Sequence, residues 1–208
     1  MKLALISDTH ARHRVFPALP TADTIIHAGD FCHFGGEQGL QDFLLWYSEL
    51  PYRHKLLIGG NHDFLPAEDP VQFRKLLPDS IHYLEDEGVE IEGVHFWGSP
   101  VQPDLVGMAF GNFRGESMNM HWDLIPEFTD VLITHTPPFG ILDSSRAGRK
   151  LGCESLREQL PRIQPKLHVF GHIHASFGER ATEQTHFINA SSIQNGSNAL
   201  RPPLTFEL

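Results

Sequence analysis

The chain has 208 residues, 40% of them hydrophobic, enough for one substantial core, and a single domain over 1–208 is the simplest reading. Lys and Arg number 16 against 26 Asp and Glu, a formal net charge of −10, which disfavours holding long nucleic acid through its phosphates. No apolar stretch approaches the ~20 residues of a membrane span, and the two cysteines, Cys32 and Cys153, make no disulfide framework, so a cytoplasmic protein independent of membranes is expected.

The first apolar run, Leu3–Ile6, reads as a strand; polar Ser7-Asp8-Thr9-His10 ends it too early for a signal-peptide core. Thr24–His27 is a second run and leads to Gly29-Asp30. Gly39–Leu50 predicts a helix with Leu40, Phe43, Leu44 and Tyr47 on one face. Leu56–Ile58 precedes Gly60-Asn61-His62-Asp63, and Pro70–Leu77 predicts a short helix. Ile81–Leu84, Val89–Ile91 and Val94–Trp97 read as consecutive strands with tight turns at Asp86-Glu87-Gly88 and Glu92-Gly93. Residues 98–126 lack clear periodicity and carry Phe110, Phe113, Met118, Met120 and Trp122; so long a connection suggests a lid, a substrate wall or a dimer contact. Val131–Ile133 leads to Thr134-His135, Cys153–Leu160 predicts a helix, and Leu167–Phe170 leads to Gly171-His172-Ile173-His174. His186–Asn189 and Leu204–Glu207 read as strands. Continuous apolar runs imply strands buried on both faces, and their alternation with helices is the α/β pattern. The central strands argue for a mixed sheet or two packed sheets.

Five polar clusters follow the buried runs, where open α/β sheets gather their ligands. They supply Asp8, His10, Asp30, Asn61, His135, His172 and His174: carboxylate, amide oxygen and imidazole. Singly, each has a bland explanation, since short polar stretches after strands are commonly turns, and a lone His135 reads as a structural histidine. All five in this order point instead to two divalent ions sharing one carboxylate. Extended Asp-x-His and His-x-His segments would aim both side chains the same way. Nitrogen and oxygen donors without thiolate suit manganese, the expected ion, and also iron, zinc, cobalt or nickel. Cys32 is expected to be a small filler, because the donor set is complete without it.

The order Asp-x-His, Gly-Asp, Gly-Asn-His-Asp, His, Gly-His-x-His resembles that of the calcineurin-like metallophosphoesterase superfamily, over essentially the whole chain. Thr134-His135-Thr136-Pro137-Pro138, Gly140-Ile141-Leu142-Asp143 and Ile188-Asn189-Ala190-Ser191-Ser192 are similar to the small metallophosphoesterase-domain subfamily related to class III cyclic nucleotide phosphodiesterases. The resemblance implies a four-layer αββα sandwich of two mixed sheets flanked by helices. It also implies that Asp8, His10, Asp30 and His174 hold one ion and Asp30, Asn61, His135 and His172 the other. The activity implied is metal-dependent hydrolysis of a phosphoric ester, a small phosphodiester or cyclic nucleotide, by a metal-activated water.

His62 follows a ligand without being needed as one. It is the candidate general acid, the alternative being a hydrogen bond that orients phosphate. With Asp30 and Asn61 it forms the expected catalytic group. Asp63 either orients His62 or caps the following segment. Arg12, Arg114 and Arg146 are candidate phosphate contacts, with solvated surface charge as the plainer reading. Phe110, Phe113, Trp97 and Trp122 could stack on a base, with core packing the plainer reading. The competing functions are a nuclease, a phosphomonoesterase or protein phosphatase, and a metal-binding scaffold without catalysis. Against the phosphatase, Gly29-Asp30-Phe31-Cys32-His33-Phe34-Gly35 lacks the Gly-Asp-x-Val-Asp-Arg-Gly signature. The full donor set disfavours the scaffold. A homodimer is left open.

Overall fold

Alternate side chains of the buried runs point into two different cores, and this divides the molecule into layers. The computed structural model describes residues 1–16, 18–33, 37–104, 107–194, 196–197 and 199–208. Phe34 and Gly35 of the stretch compared with the phosphatase signature, and 105–106 of the long connection, lie outside the described residues. In chain order the elements are β1 (Lys2–Ile6), β2 (Thr24–Ala28), α1 (Glu37–Glu49), β3 (His54–Ile58), α2 (Phe64–Glu68), α3 (Pro70–Leu76), β4 (His82–Tyr83), β5 (Glu87–Ile91), β6 (Val94–Ser99), β7 (Gln102–Pro103), β8 (Gly111–Asn112), α4 (Glu116–Trp122), β9 (Val131–Thr134), α5 (Glu154–Ile163), β10 (Leu167–Phe170), β11 (Gly178–Ala181), β12 (His186–Asn189) and β13 (Leu204–Glu207).

One sheet has the order β13-β1-β2-β3-β4 and the other β11-β12-β10-β9-β6-β5. β1 to β4 run parallel, with β13 antiparallel at the edge. In the second sheet β6, β9, β10 and β12 run parallel, and β5 and β11 are antiparallel edges. Leu3, Leu5, Ile26, Leu56 and Ile58 of the first sheet meet Val131, Ile133, Leu167, Val169 and Ile188 of the second in one buried cluster. The intervening residues point the other way. Ala4, Ile6, Ile25 and Leu57 pack under Phe43, Leu44 and Tyr47 of α1 and Phe73 of α3. Leu132, Phe170 and Phe187 pack under Met118 and Trp122 of α4 and Leu156, Leu160 and Ile163 of α5. The layers are therefore helix, sheet, sheet, helix, as expected. Burying each large apolar side chain contributes about 1.5–3 kcal/mol, so the continuous apolar runs are required by burial on both faces.

Local signals end the elements. Asp69 accepts the Gln72 N–H at 2.9 Å and Pro70 starts α3, a polar cap followed by a residue that has no N–H to lose. Tyr47 ties α1 to the sheet beneath, its hydroxyl donating to Leu56 at 2.8 Å.

Two expectations fail in the middle of the chain. Glu87 and Gly88 do not turn: they begin β5, opposite Gly98 and Trp97. Leu84 still pairs with β3 through a 2.9 Å bond to Leu57, so the chain changes sheets across 84–86, with Asp86 at φ 50°. Residues 98–126 are not one long connection: β6 runs on to Ser99, β7 and β8 form a short ribbon, and α4 buries Met118 and Trp122. Phe113 and Met120 stay exposed. The predicted turn at Glu92-Gly93 is present, both residues having positive φ. Among the described residues no helix is long and apolar enough to cross a membrane.

Candidate metal centre

The parallel strands of both sheets end on the same rim, where Ser7 bridges Ser191 and the Ser192 N–H donates to the Ser7 carbonyl at 2.8 Å. All five clusters sit there. Asp8, His10, Asp30 and His172 have φ of 52°, 44°, 57° and 64°, a left-handed backbone that non-glycine residues take at a cost of about 1 kcal/mol or more each. This corrects the extended-segment argument. Asp8 and His10 converge because both occupy a tight left-handed turn, not because a strand alternates. Such strain concentrates where packing over-determines the backbone, and here it marks the ligand turns.

Two side-chain groups form. In the first, Asp8 Oδ1 lies 3.2 Å from His174 Nε2, which faces His10 Nε2 at 3.4 Å. In the second, Asn61 Oδ1 lies 3.2 Å from His135 Nε2 and 2.9 Å from His172 Nδ1. Asp30 stands between them, its Oδ2 3.6 Å from His10 Nε2 and 3.4 Å from His135 Nε2. Asp8, His10 and His174, and likewise Asp30, His135 and His172, offer ligand atoms within 4.8 Å of one another. The structure thus brings together all seven residues singled out in the sequence. The donors fit divalent cations: imidazole nitrogens face each other and carboxylate oxygens in a buried space, where opposite charge would stabilise them. Close approach requires glycine at two points. A Cβ on Gly60 would fall 2.4 Å from Asp30 Oδ1, and one on Gly171 2.2 Å from Asp8 Oδ2.

Burial alone would raise the pKa of both acids, but the neighbouring imidazoles prevail. Asp8 is held well below the usual carboxylate range by His174, and Asp30 is lowered to about 2 by His135. His135 is raised to about 9 despite burial, because Asp30 favours its charged form. His10 and His172 are lowered to about 4 by burial. Behind each half of the site lies a buried histidine on a threonine hydroxyl: His27 on Thr9 and His168 on Thr134, both at 2.9 Å. Thr134 donates its own hydroxyl hydrogen to Thr136 at 2.7 Å, so His168 must be the donor to Thr134.

His62 lies at the mouth, its ring 4.7 Å from that of His10, with its backbone N–H donated to Asp30 Oδ1 at 2.8 Å. Asp63 does not cap α2 with its side chain. Its carboxylate is committed elsewhere, accepting backbone N–H groups from Asp30, Cys32 and Gly60 at 2.7–2.8 Å and bracing two ligand turns against each other. Sequence reasoning missed this role, and it missed His33. The His33 ring stacks at 5.9 Å on His62, and His10, His33 and His62 form a third group of converging nitrogens. Cys32 is buried and its thiol is pushed up by burial, in keeping with a filler.

The arginines fare differently. Arg114 is hydrogen-bonded within the protein, to Asp104, Glu154 and the Gly152 carbonyl. Arg12 donates to Ser197 at 3.3 Å, and Arg146 is exposed. Trp122 is fully buried beneath β9, as packing predicts, and Trp97 packs against the same core. Phe113 is exposed, and Phe110 lies over Gly59.

Similarity to known proteins agrees with this geometry. The chain is 35% identical over 232 residues to metallophosphoesterase domain-containing protein 1 of Homo sapiens, covering all of this chain and 71% of that one. It is 36% identical to a UPF0046 protein of Caenorhabditis elegans, covering 99% and 74% of the two chains. Among solved structures, TT1561 of Thermus thermophilus shares the fold with a TM-score of 0.64 at 11% identity, over 90% and 88% of the chains. GAP50, the anchor in the inner membrane complex of Plasmodium, does so at 0.53 and 13%, over 92% and 71%. Residues 1–176 match the family model described as calcineurin-like phosphoesterase. With that match spanning most of its length, the chain belongs to the calcineurin-like phosphoesterase family, whose members are metal-dependent phosphoester hydrolases.

Proposed function

We propose that the protein hydrolyses small phosphodiesters, linear or cyclic nucleotides foremost. The observation that carries this reading is Asp30, whose carboxylate lies between the Asp8, His10, His174 group and the Asn61, His135, His172 group. Asp8, His10, Asp30 and His174 would hold one divalent ion, and Asp30, Asn61, His135 and His172 the other. Bound there, two such ions, manganese being our choice, would activate water and offset the charge of the phosphate.

The chain's own residues do the rest. Asp30 fixes His62 through the backbone bond, so the ring is positioned by the residue common to both groups. Burial lowers the His62 pKa against the pull of Asp30. A phosphate anion beside the ring favours its protonated form, which can then donate to the departing oxygen. The acidic charge balance argues for small substrates over long nucleic acid, and the two buried thiols for a reducing, cytoplasmic setting.

The test is a screen of the metal-reconstituted protein on phosphomonoesters, linear diesters and 2′,3′- and 3′,5′-cyclic nucleotides. Diesters should give the highest kcat/KM. Activity confined to monoesters would refute the diesterase reading.

A further inference from the structure

Beside the two ligand groups stands a set of imidazoles. His10, His33 and His62 each offer a nitrogen, and the three atoms lie within 4.8 Å of one another. The ring centroids are 5.6 Å apart for His10 and His33, 4.7 Å for His10 and His62, and 5.9 Å for His33 and His62. The His33 and His62 rings are inclined to each other by only 21°, and both stand nearly perpendicular to His10, at 87° and 85°. The two-ion chemistry takes His10 as a ligand and His62 as the acid, and gives His33 no task.

The fold holds His33 and His62 on one frame. His33 lies on the turn after β2, three residues past Asp30, and His62 on the turn after β3, next to Asn61. Asp63, adjacent to His62, accepts the N–H of Cys32, adjacent to His33, at 2.7 Å. Asp30 Oδ1 accepts the His62 N–H at 2.8 Å. Two long-range bonds therefore fix the backbone under both rings. His33 is exposed, His62 is partly exposed and His10 is buried beneath them, so an ion from solvent meets the pair first.

The donors differ from those of the two ligand groups. Each of those includes a carboxylate, Asp8 or Asp30, whereas this set is imidazole alone. Nitrogen donors suit zinc better than manganese or magnesium, which take more oxygen. Asp30 Oδ2, 3.9 Å from His62 Nε2, supplies negative charge that favours a cation nearby. With two ions bound, His10 stays with the first of them. His33 and His62 are then the protein donors for a further ion, with water in its remaining positions. Two protein ligands hold zinc more weakly than four, so this position fills only when zinc is in excess.

We propose that His33 and His62 form an accessory zinc site at the mouth, and that zinc bound there withholds His62 from the leaving oxygen. The binding half stands on the imidazole geometry; the inhibitory half rests on the reading of His62 as general acid. Zinc takes the lone pair of a neutral imidazole nitrogen, so that nitrogen has no proton to donate while the ion is bound.

The test compares the parent with His33→Ala, both reconstituted with manganese and exposed to rising free zinc. Equilibrium dialysis with elemental analysis should give three divalent ions per parent chain and two per His33→Ala chain. Turnover is read for each protein against itself without zinc. In the parent, excess zinc should slow an alkyl diester by at least about tenfold, toward the ~10²–10⁴-fold cost of a missing acid, and barely slow release of nitrophenol. His33→Ala should resist zinc on both substrates. A parent that takes up no third ion, or a third ion held equally by His33→Ala, would overturn the site. Equal inhibition of parent and variant would place the zinc in the two-ion centre and also overturn it. A third ion that is lost with His33, yet slows both diesters alike or neither, would uphold the site and refute His62 as the acid it silences.

Discussion

The Asp63 carboxylate accepts the backbone N–H of Asp30 at 2.8 Å, although the two residues are 33 apart in sequence. Its other bonds, to the backbone N–H groups of Phe31, Cys32 and Gly60, make it the brace between the turn after β2 and the turn after β3. Asp63→Ala leaves four buried N–H groups, those of Asp30, Phe31, Cys32 and Gly60, without that partner, at about 1–3 kcal/mol each, so a loss of at least about 4 kcal/mol is expected in urea unfolding. Asp63→Asn, which keeps one acceptor oxygen, should lose less. An alanine variant as stable as the parent would show that the brace does not hold the turns.

His62 acts on the leaving group in this account, so its removal should matter most where the leaving group is poor. His62→Ala should slow an alkyl diester by about 10²–10⁴-fold and barely change release of nitrophenol, which needs no proton. Equal losses on both substrates would assign His62 to phosphate positioning.

Asp30 is the residue the two ligand groups share. Asp30→Ala should abolish turnover and reduce metal content after dialysis, whereas Asp8→Ala removes a donor from one group alone. Retention of both ions by Asp30→Ala, measured by elemental analysis, would refute the shared role.

Acid sensitivity follows from the buried histidines. His27 and His168 are pushed down to about 3 by burial, while unfolded histidine titrates near 6.5. Below 6.5 the unfolded chain therefore binds more protons, so stability is full above that pH and drains as pH falls toward 3. The loss approaches about 1.4 kcal/mol per pH unit for each residue. His10 and His172, lowered to about 4, add to it, whereas Asp30, lowered to about 2, contributes its loss only at still lower pH. His135, raised to about 9, has the opposite sign, and its contribution is lost between 6.5 and 9. Urea unfolding of the metal-free protein at pH 6.5, 5.5 and 4.5 checks the acid limb. A flat profile would contradict the neutral, buried state of His27 and His168.

Much of this was legible in the sequence because burial and ligand chemistry act on residue type. Leu3–Ile6 or Leu167–Phe170 must lie between two apolar layers, and Asp8, His10 or His174 have few other reasons to follow such runs. What escaped depends on backbone angles and on contacts between distant segments. Nothing in Asp-Thr-His states that Asp8 and His10 adopt positive φ. Glu87 and Gly88 look like a turn but pair with Gly98 and Trp97, because the register of β6 decides their state. The ribbon of β7 and β8 spans two residues on each side, too short to show a period, and the residues just before β8, Ala109 and Phe110, are held by contacts with Asn61 and Gly59. Asp63 and His33 were in plain view in their motifs, yet only the fold shows which backbone groups and rings they meet.

The most direct measurement of the central claim is metal content and turnover on one sample. The protein is reconstituted with manganese, dialysed, analysed for metal per chain, and assayed on bis-nitrophenyl phosphate. The account predicts two ions per chain, with turnover rising as the second ion is taken up. A chain that holds two ions and hydrolyses no diester would contradict it.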